Sequence, residues 1–178
     1  TSIYADCFVV YGLAECALAV RDRAFYEFAV SLYDSVVERF YAPGYRTDPY
    51  PVPPGFEAHG RPMILLETAR EMALAAAGFG DPRETAFLDQ AAGWMDEILD
   101  RFRDPADGLI AEMRSDDPVR RASLLGQYIN PGHMIESMGF VIQLARTLNR
   151  PERIAQAVDT IRAACRIGWD VPFGGFPQ

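Results

Sequence analysis

The chain has 178 residues, 49% of them hydrophobic, which is enough length and apolar surface to bury a core and argues against disorder. Its net charge of −8, with no basic stripe, argues against a nucleic-acid partner, because phosphate binding is driven by clustered cations. All seventeen basic residues are arginine, so no lysine is present for a Schiff base or a phosphate-binding loop.

Helical periodicity runs through nearly the whole chain. From Ile3 to about Val20, Phe8, Tyr11, Ala14 or Glu15, and Leu18 recur at three- and four-residue steps and predict a helix burying that face. "RDRAFYEFAVSLYDSVVERFY" follows after a tight break as its partner. A second pair reads "RPMILLETAREMALAAAGFG" and "RETAFLDQAAGWMDEILDRF", with Asp81 as N-cap and Pro82 at the first helical position. A third reads "HMIESMGFVIQLARTLN" and "ERIAQAVDTIRAACRIG", with Pro151 opening its second helix. The expectation is six main helices in three antiparallel pairs, with His133 and Glu136 in the first turn of the fifth.

The second and third hairpins align when shifted by 69 positions, which sets Pro62 on Pro131, Ile64 on His133, Glu67 on Glu136 and Pro82 on Pro151. Repeated helical hairpins build an open solenoid or a closed α/α barrel. The long segments "APGYRTDPYPVPPGFEAHG" and "RDPADGLIAEMRSDDPVRRASLLGQYINPG" both precede a first helix, and loops of such length are commonly functional. In a barrel they gather His59, Tyr128, Asn130 and His133 around one mouth, and "GLIAEM" and "GQYIN" are candidates for a short strand pair. The fold class expected is all-α: three helical hairpins forming half of an (α/α)6 toroid, with residues 1–178 part of one domain.

No apolar run near twenty residues and no signal-peptide pattern is legible, so the chain reads as soluble, cytoplasmic and without a membrane partner. Cys7, Cys16 and Cys165 form no CxxC pair and no cluster of metal-ligand spacing, so neither a metal nor a disulfide framework is expected. The absence of GxGxxG leaves no dinucleotide fingerprint, and no cofactor is expected. "NPGHMIE" holds one of only two histidines. A spacing of three projects His133 and Glu136 from one helical face.

"YADCFVVYGLAE", "RPMILLE", "NPGHMIES" and "GWDVPFGG" resemble, in this order, segments of the N-acylglucosamine 2-epimerase (renin-binding protein) family, with "NPGH" followed by "IE" the most specific. The resemblance runs from Tyr4 to Gly175 and implies an (α/α)6 barrel of which this chain is a central piece, consistent with the missing initiator methionine. It implies a sugar substrate interconverted at carbon 2, by epimerisation or by aldose–ketose isomerisation. His133 is then the base that takes the carbon 2 proton to give an enediolate, and Glu136 binds and polarises the sugar end or orients the imidazole. A second histidine would lie beyond Gln178. Met63, Tyr4 and Asn130 are the further substrate contacts expected, and His133, Glu136, Met63 and Tyr4 are expected to share one pocket. Ile64 stands where other branches carry a histidine, which favours an N-acylated sugar. A nucleotide effector and a homodimer of the full-length protein remain open.

The chemistry has its own logic, since a proton beside a carbonyl calls for a base titrating near neutrality, and the enediolate calls for preorganised donors. Arg61, Arg121, Tyr128 and Asn130 are candidate donors. Met63 and Tyr4 have an ordinary alternative as packing side chains, and His59 reads as a solvated loop histidine. The rival functions are a noncatalytic α/α-repeat scaffold, or a glycosidase needing two carboxylates, for which Asp6 and Glu136 are the pair to consider.

Overall fold

A computed structural model describes residues 2–42, 45 and 51–176. Much of the first long linker, including "PG" at 43–44 and "RTDPY", lies outside the described residues. Among the described residues the chain folds as α1 (Ile3–Val20), α2 (Arg23–Tyr41), β1 (Glu57–Ala58), α3 (Gly60–Phe79), α4 (Glu84–Glu97), β2 (Met113–Arg114), α5 (Pro118–Arg121), α6 (Pro131–Thr147) and α7 (Pro151–Gly168). Six long helices follow one another as expected, and α5 is an extra single turn. The described residues group into two compact units, one made of those within 2–52 and 64–93 and the other of those within 53–63 and 94–176.

In the first unit, α1 and α2 form a hairpin whose turn is set by local chemistry. Arg21 adopts a left-handed conformation at φ 56°, the Asp22 N–H reaches back to the Ala17 carbonyl at 3.1 Å, and the Asp22 carboxylate caps α2 by accepting from the Ala24 N–H at 2.8 Å. The buried row of α1 is Ile3, Cys7, Val10, Ala14 and Ala17. This corrects the expected face, since Phe8 is 65% exposed and Tyr11 39% exposed. α1 is apolar on nearly all sides, so periodicity alone does not choose the face, and the small-residue row is the one that lets α2 approach closely. By length and composition α1 is also apolar enough to cross a membrane. The sequence reading overlooked it because Asp6 and Glu15 interrupt the run. Asp6 is ion-paired with Arg39 of α2 at 2.6 Å.

Tyr33 anchors this unit. It is 1% exposed, meets Phe87 edge to face at 5.2 Å, and its hydroxyl donates to Gln90. Cys7 is buried with its thiol pushed up to about 11 by that burial, so it rests as an inert reduced thiol, and Cys16 and Cys165 are also free. Asp81 caps the turn before α4 by accepting from the Arg83 N–H at 2.9 Å, so α4 starts at Glu84 rather than at Pro82 as expected.

In the second unit the last turn of α4 widens into a π turn over Ile98–Phe102, closed by the Arg103 N–H on the Ile98 carbonyl at 3.1 Å, with Ile98, Leu99 and Phe102 buried. α6 and α7 form a second hairpin, with Asn149 left-handed at φ 53° and Pro151 opening α7 as expected. α3 begins two residues before the position that the repeat aligns with Pro131. "GWDVPFGG" forms the expected turn after α7, where Asp170 bridges Gly175.

The expected strand pair is replaced by a different one. β1 and β2 run antiparallel, with Glu57 opposite Arg114 and Ala58 opposite Met113. The second segment contributes one backbone hydrogen bond, from the Glu112 N–H to the Tyr128 carbonyl at 2.9 Å. The first long loop, expected to reach the mouth through His59 and not to form a strand, supplies the partner strand through its "EA".

Replacing Tyr33 separates packing from hydrogen bonding. In urea unfolding, Tyr33→Phe should cost about 1 kcal/mol for the lost hydroxyl contact, and Tyr33→Ala about 3–5 kcal/mol for the cavity beside Phe87.

Candidate functional site

α6 opens on Asn130, whose side-chain oxygen accepts from the His133 N–H at 3.2 Å, with Pro131 at the first helical position. This cap holds His133 in the first turn and places Glu136 in the second, three residues on, with Glu136 exposed. The imidazole of His133 is 45% exposed, and its Nδ1 lies 3.0 Å from Glu112 Oε1.

Glu112 is the residue the sequence reading missed. It is only 8% exposed, and the chain around it is tied on both sides. Its N–H donates to the Tyr128 carbonyl at 2.9 Å and its carbonyl accepts from the His59 N–H at 3.0 Å. These bonds extend the β1–β2 pairing by one residue and bring the two chain-distant histidines to one carboxylate.

His59 corrects the expectation of a solvated loop residue. It is fully buried, with Nε2 3.1 Å from the Ser137 hydroxyl, Nδ1 3.7 Å from Glu112 Oε1, and its ring 5.9 Å from that of Phe102. The turn between β1 and α3 carries the ring inward, where α6 covers it through Ser137.

The electrostatics follow from this arrangement. Burial pushes the Glu112 carboxyl up, but the hydrogen bond from His133 and the proximity of His59 outweigh it and bring the carboxyl down to about 2. The same bond raises His133 above its ordinary value of 6.5, against a smaller opposing effect of burial. A carboxylate that stays ionised accepts the Nδ1 proton of His133 and so leaves Nε2 as the free lone pair of the neutral ring.

The other expected residues are distributed unevenly. Met63 is 8% exposed at the start of α3, in the same unit as His133 and Glu136, and its burial fits packing. Tyr4 is half-buried on α1 in the other unit. Asn130 is engaged as the helix cap, Tyr128 is 54% exposed, and Arg121 lines a separate cavity behind the loops. Asp6, half of the carboxylate pair a hydrolase would need, is already paired with Arg39. Among the described residues no group of three or more His, Cys, Asp or Glu is placed to hold a metal ion.

Helical hairpins of this kind define an all-α chain of the (α/α)6-barrel class, and solved structures of that class superpose on it. The chain belongs to the N-acylglucosamine 2-epimerase (GlcNAc 2-epimerase) family, whose pattern matches residues 1–177. It is 22% identical over 177 residues to the N-acylglucosamine 2-epimerase of Bos taurus, a match covering 98% of this chain and 41% of that protein. It is similar in fold to a D-mannose isomerase, with TM-score 0.72 and 15% identity over 99% of this chain and 47% of the other. It also resembles a sugar epimerase from a ruminal bacterium, with TM-score 0.67 and 16% identity over 96% and 45% of the two chains. A family 76 glycoside hydrolase from a bovine Bacteroides thetaiotaomicron strain shares the fold, with TM-score 0.68 and 12% identity over 92% of this chain and 34% of that one. The chain thus spans less than half the length of these proteins.

The shifts at Glu112 and His133 give the site a defined pH window. Glu112 is lowered in the folded state from 4.5 to about 2, so its contribution is present above about 4.5 and lost as pH falls toward 2. His133 is raised, so its contribution is present below about 6.5 and lost as pH rises through its folded value. The stability gap between the wild type and Glu112→Gln, read by urea unfolding across pH, should be widest between about 4.5 and 6.5 and should narrow on both sides.

Proposed function

We propose that this chain carries part of the active site of a sugar epimerase or isomerase, acting at carbon 2 of N-acyl-D-glucosamine and N-acyl-D-mannosamine, with His133 as the base. The observation carrying this reading is the anchoring of His133 Nδ1 on the buried Glu112 carboxylate, which leaves Nε2 of the half-exposed ring as the proton acceptor. Family membership and the structural neighbours support the reaction class, and the N-acylated substrate rests on the bovine relative and on Ile64.

In the open-chain sugar, Nε2 of His133 takes the carbon 2 proton and the bonding electrons move onto the carbonyl oxygen, giving an enolate, which is an enediolate where carbon 2 carries a hydroxyl. Return of a proton to the opposite face of carbon 2 gives the epimer. In a 2-hydroxy sugar, delivery to carbon 1 with passage of the carbon 2 hydroxyl proton to oxygen 1 gives the ketose, a route closed to an N-acylated sugar. Glu136, exposed one turn along the same helix, is positioned to accept a sugar hydroxyl. His59 is enclosed by Ser137, Phe102 and Glu112, so it does not reach a substrate that His133 reaches from the surface. Epimerisation therefore draws its second acid from outside these residues.

The test is deuterium incorporation from solvent at carbon 2 of N-acetylmannosamine and N-acetylglucosamine. In the full-length protein, His133→Ala should reduce exchange by about 10²–10⁴-fold, and unchanged exchange would remove His133 from the mechanism. The 178-residue segment alone should not epimerise either sugar, and full epimerisation by it would overturn the two-base division.

A further inference from the structure

Behind the loops of the second unit lies a cavity of about 620 Å³, a volume suited to a small-molecule ligand, whose lining does not include His59, His133 or Glu136. Arg103, Arg114 and Arg121 line it together with Asp100, Asp104 and Asp107. None of the three arginines makes a close ion pair with these carboxylates. Arg103 donates to the neutral Thr160 hydroxyl at 2.9 Å, Arg114 has Asp116 only at 3.5 Å, and Arg121 makes no side-chain hydrogen bond or ion pair among the described residues.

The carboxylates in the same wall are occupied differently. Asp100 is held by Arg153 at 2.7 and 2.8 Å. Asp104 and Asp107 each accept a backbone N–H, of Ala106 and Leu109, on one oxygen at 2.8 Å. The smaller cavity beside it shares Arg114 with the larger one, and its other arginines are internally paired, Arg101 with Glu57 at 2.8 Å and Arg120 with Asp117 at 2.6 Å.

We propose that the larger cavity is a second binding site, for a small hydroxylated anion of the sugar-phosphate class. The planar guanidinium forks supply the bidentate donors that a phosphate prefers, Asp104 and Asp107 accept hydroxyls, and the Phe102 side of the cavity offers an apolar wall to the sugar ring. The site also has a route to the histidine cluster. Ala111 and Ile129 line the cavity, and their chain neighbours Glu112 and Tyr128 are joined by the 2.9 Å backbone bond that positions the carboxylate under His133. Occupancy thus bears on the segment that holds Glu112.

Calorimetric titration of the full-length protein with glucose 6-phosphate tests the site without any need for turnover, so its outcome is independent of the assignment of His133. Saturable binding with one site per chain is expected, weakened about tenfold or more in Arg121→Ala through loss of a charge-assisted contact, and retained in His133→Ala. Arg121 is exposed, so the substitution removes no core packing. Absence of saturable binding would overturn the proposal. So would equal affinity for unphosphorylated glucose, an affinity indifferent to Arg121→Ala, or loss of binding in His133→Ala, which would place the anion at the histidine site instead.

Discussion

The second unit depends on a carboxylate taken out of water. An ionised carboxyl group as buried as Glu112 is tolerated only when cationic or hydrogen-bonding partners replace its hydration, and here one partner is the ring of His133 while another is the ring of His59. Satisfying Glu112 fixes three pieces of chain at once: the turn after β1, the segment entering β2, and the head of α6. Removing the carboxylate would leave His133 free to adopt either tautomer, and would take from His59 Nδ1, which makes no hydrogen bond among the described residues, the acidic oxygen near it at 3.7 Å. The Ser137 hydroxyl closes the arrangement from α6, so the buried histidine is held from two directions.

This organisation explains why the fold and the site were unequally legible in the sequence. Helix existence followed from hydrophobic period, and the start of α7 followed from Pro151, whereas Asp81 and Pro82 marked the turn before α4 two residues ahead of its first helical residue. The buried face of α1 did not follow, since Phe8 and Tyr11 mark a row as periodic as Cys7, Val10 and Ala14. Only the neighbouring helix decides which row is covered. The β1–β2 pair was similarly hidden, because strands of two residues carry no alternation to read.

At the site, His133 stood out by rarity and motif, whereas Glu112 sat in "GLIAEM" as one acid among twenty-five. One signal was present: an acidic residue with Leu109, Ile110 and Ala111 before it and Met113 after it has to be either solvent-facing on a strand or buried and paired. Choosing between these requires the backbone bonds to His59 and Tyr128, which join residues far apart in sequence. His59 was misread for a related reason. Prolines and glycines on either side suggested a surface loop, but the turn into α3 carries the ring beneath α6.

The central claim is that Glu112 sets the tautomer of His133. Because the chain has only two histidines, ¹⁵N NMR of the imidazole nitrogens reads each ring with little overlap. Above the pH at which His133 deprotonates, the account predicts a proton on Nδ1 and a bare Nε2 in the wild type, with that preference relaxed in Glu112→Gln. A neutral His133 carrying its proton on Nε2 in the wild type would contradict it.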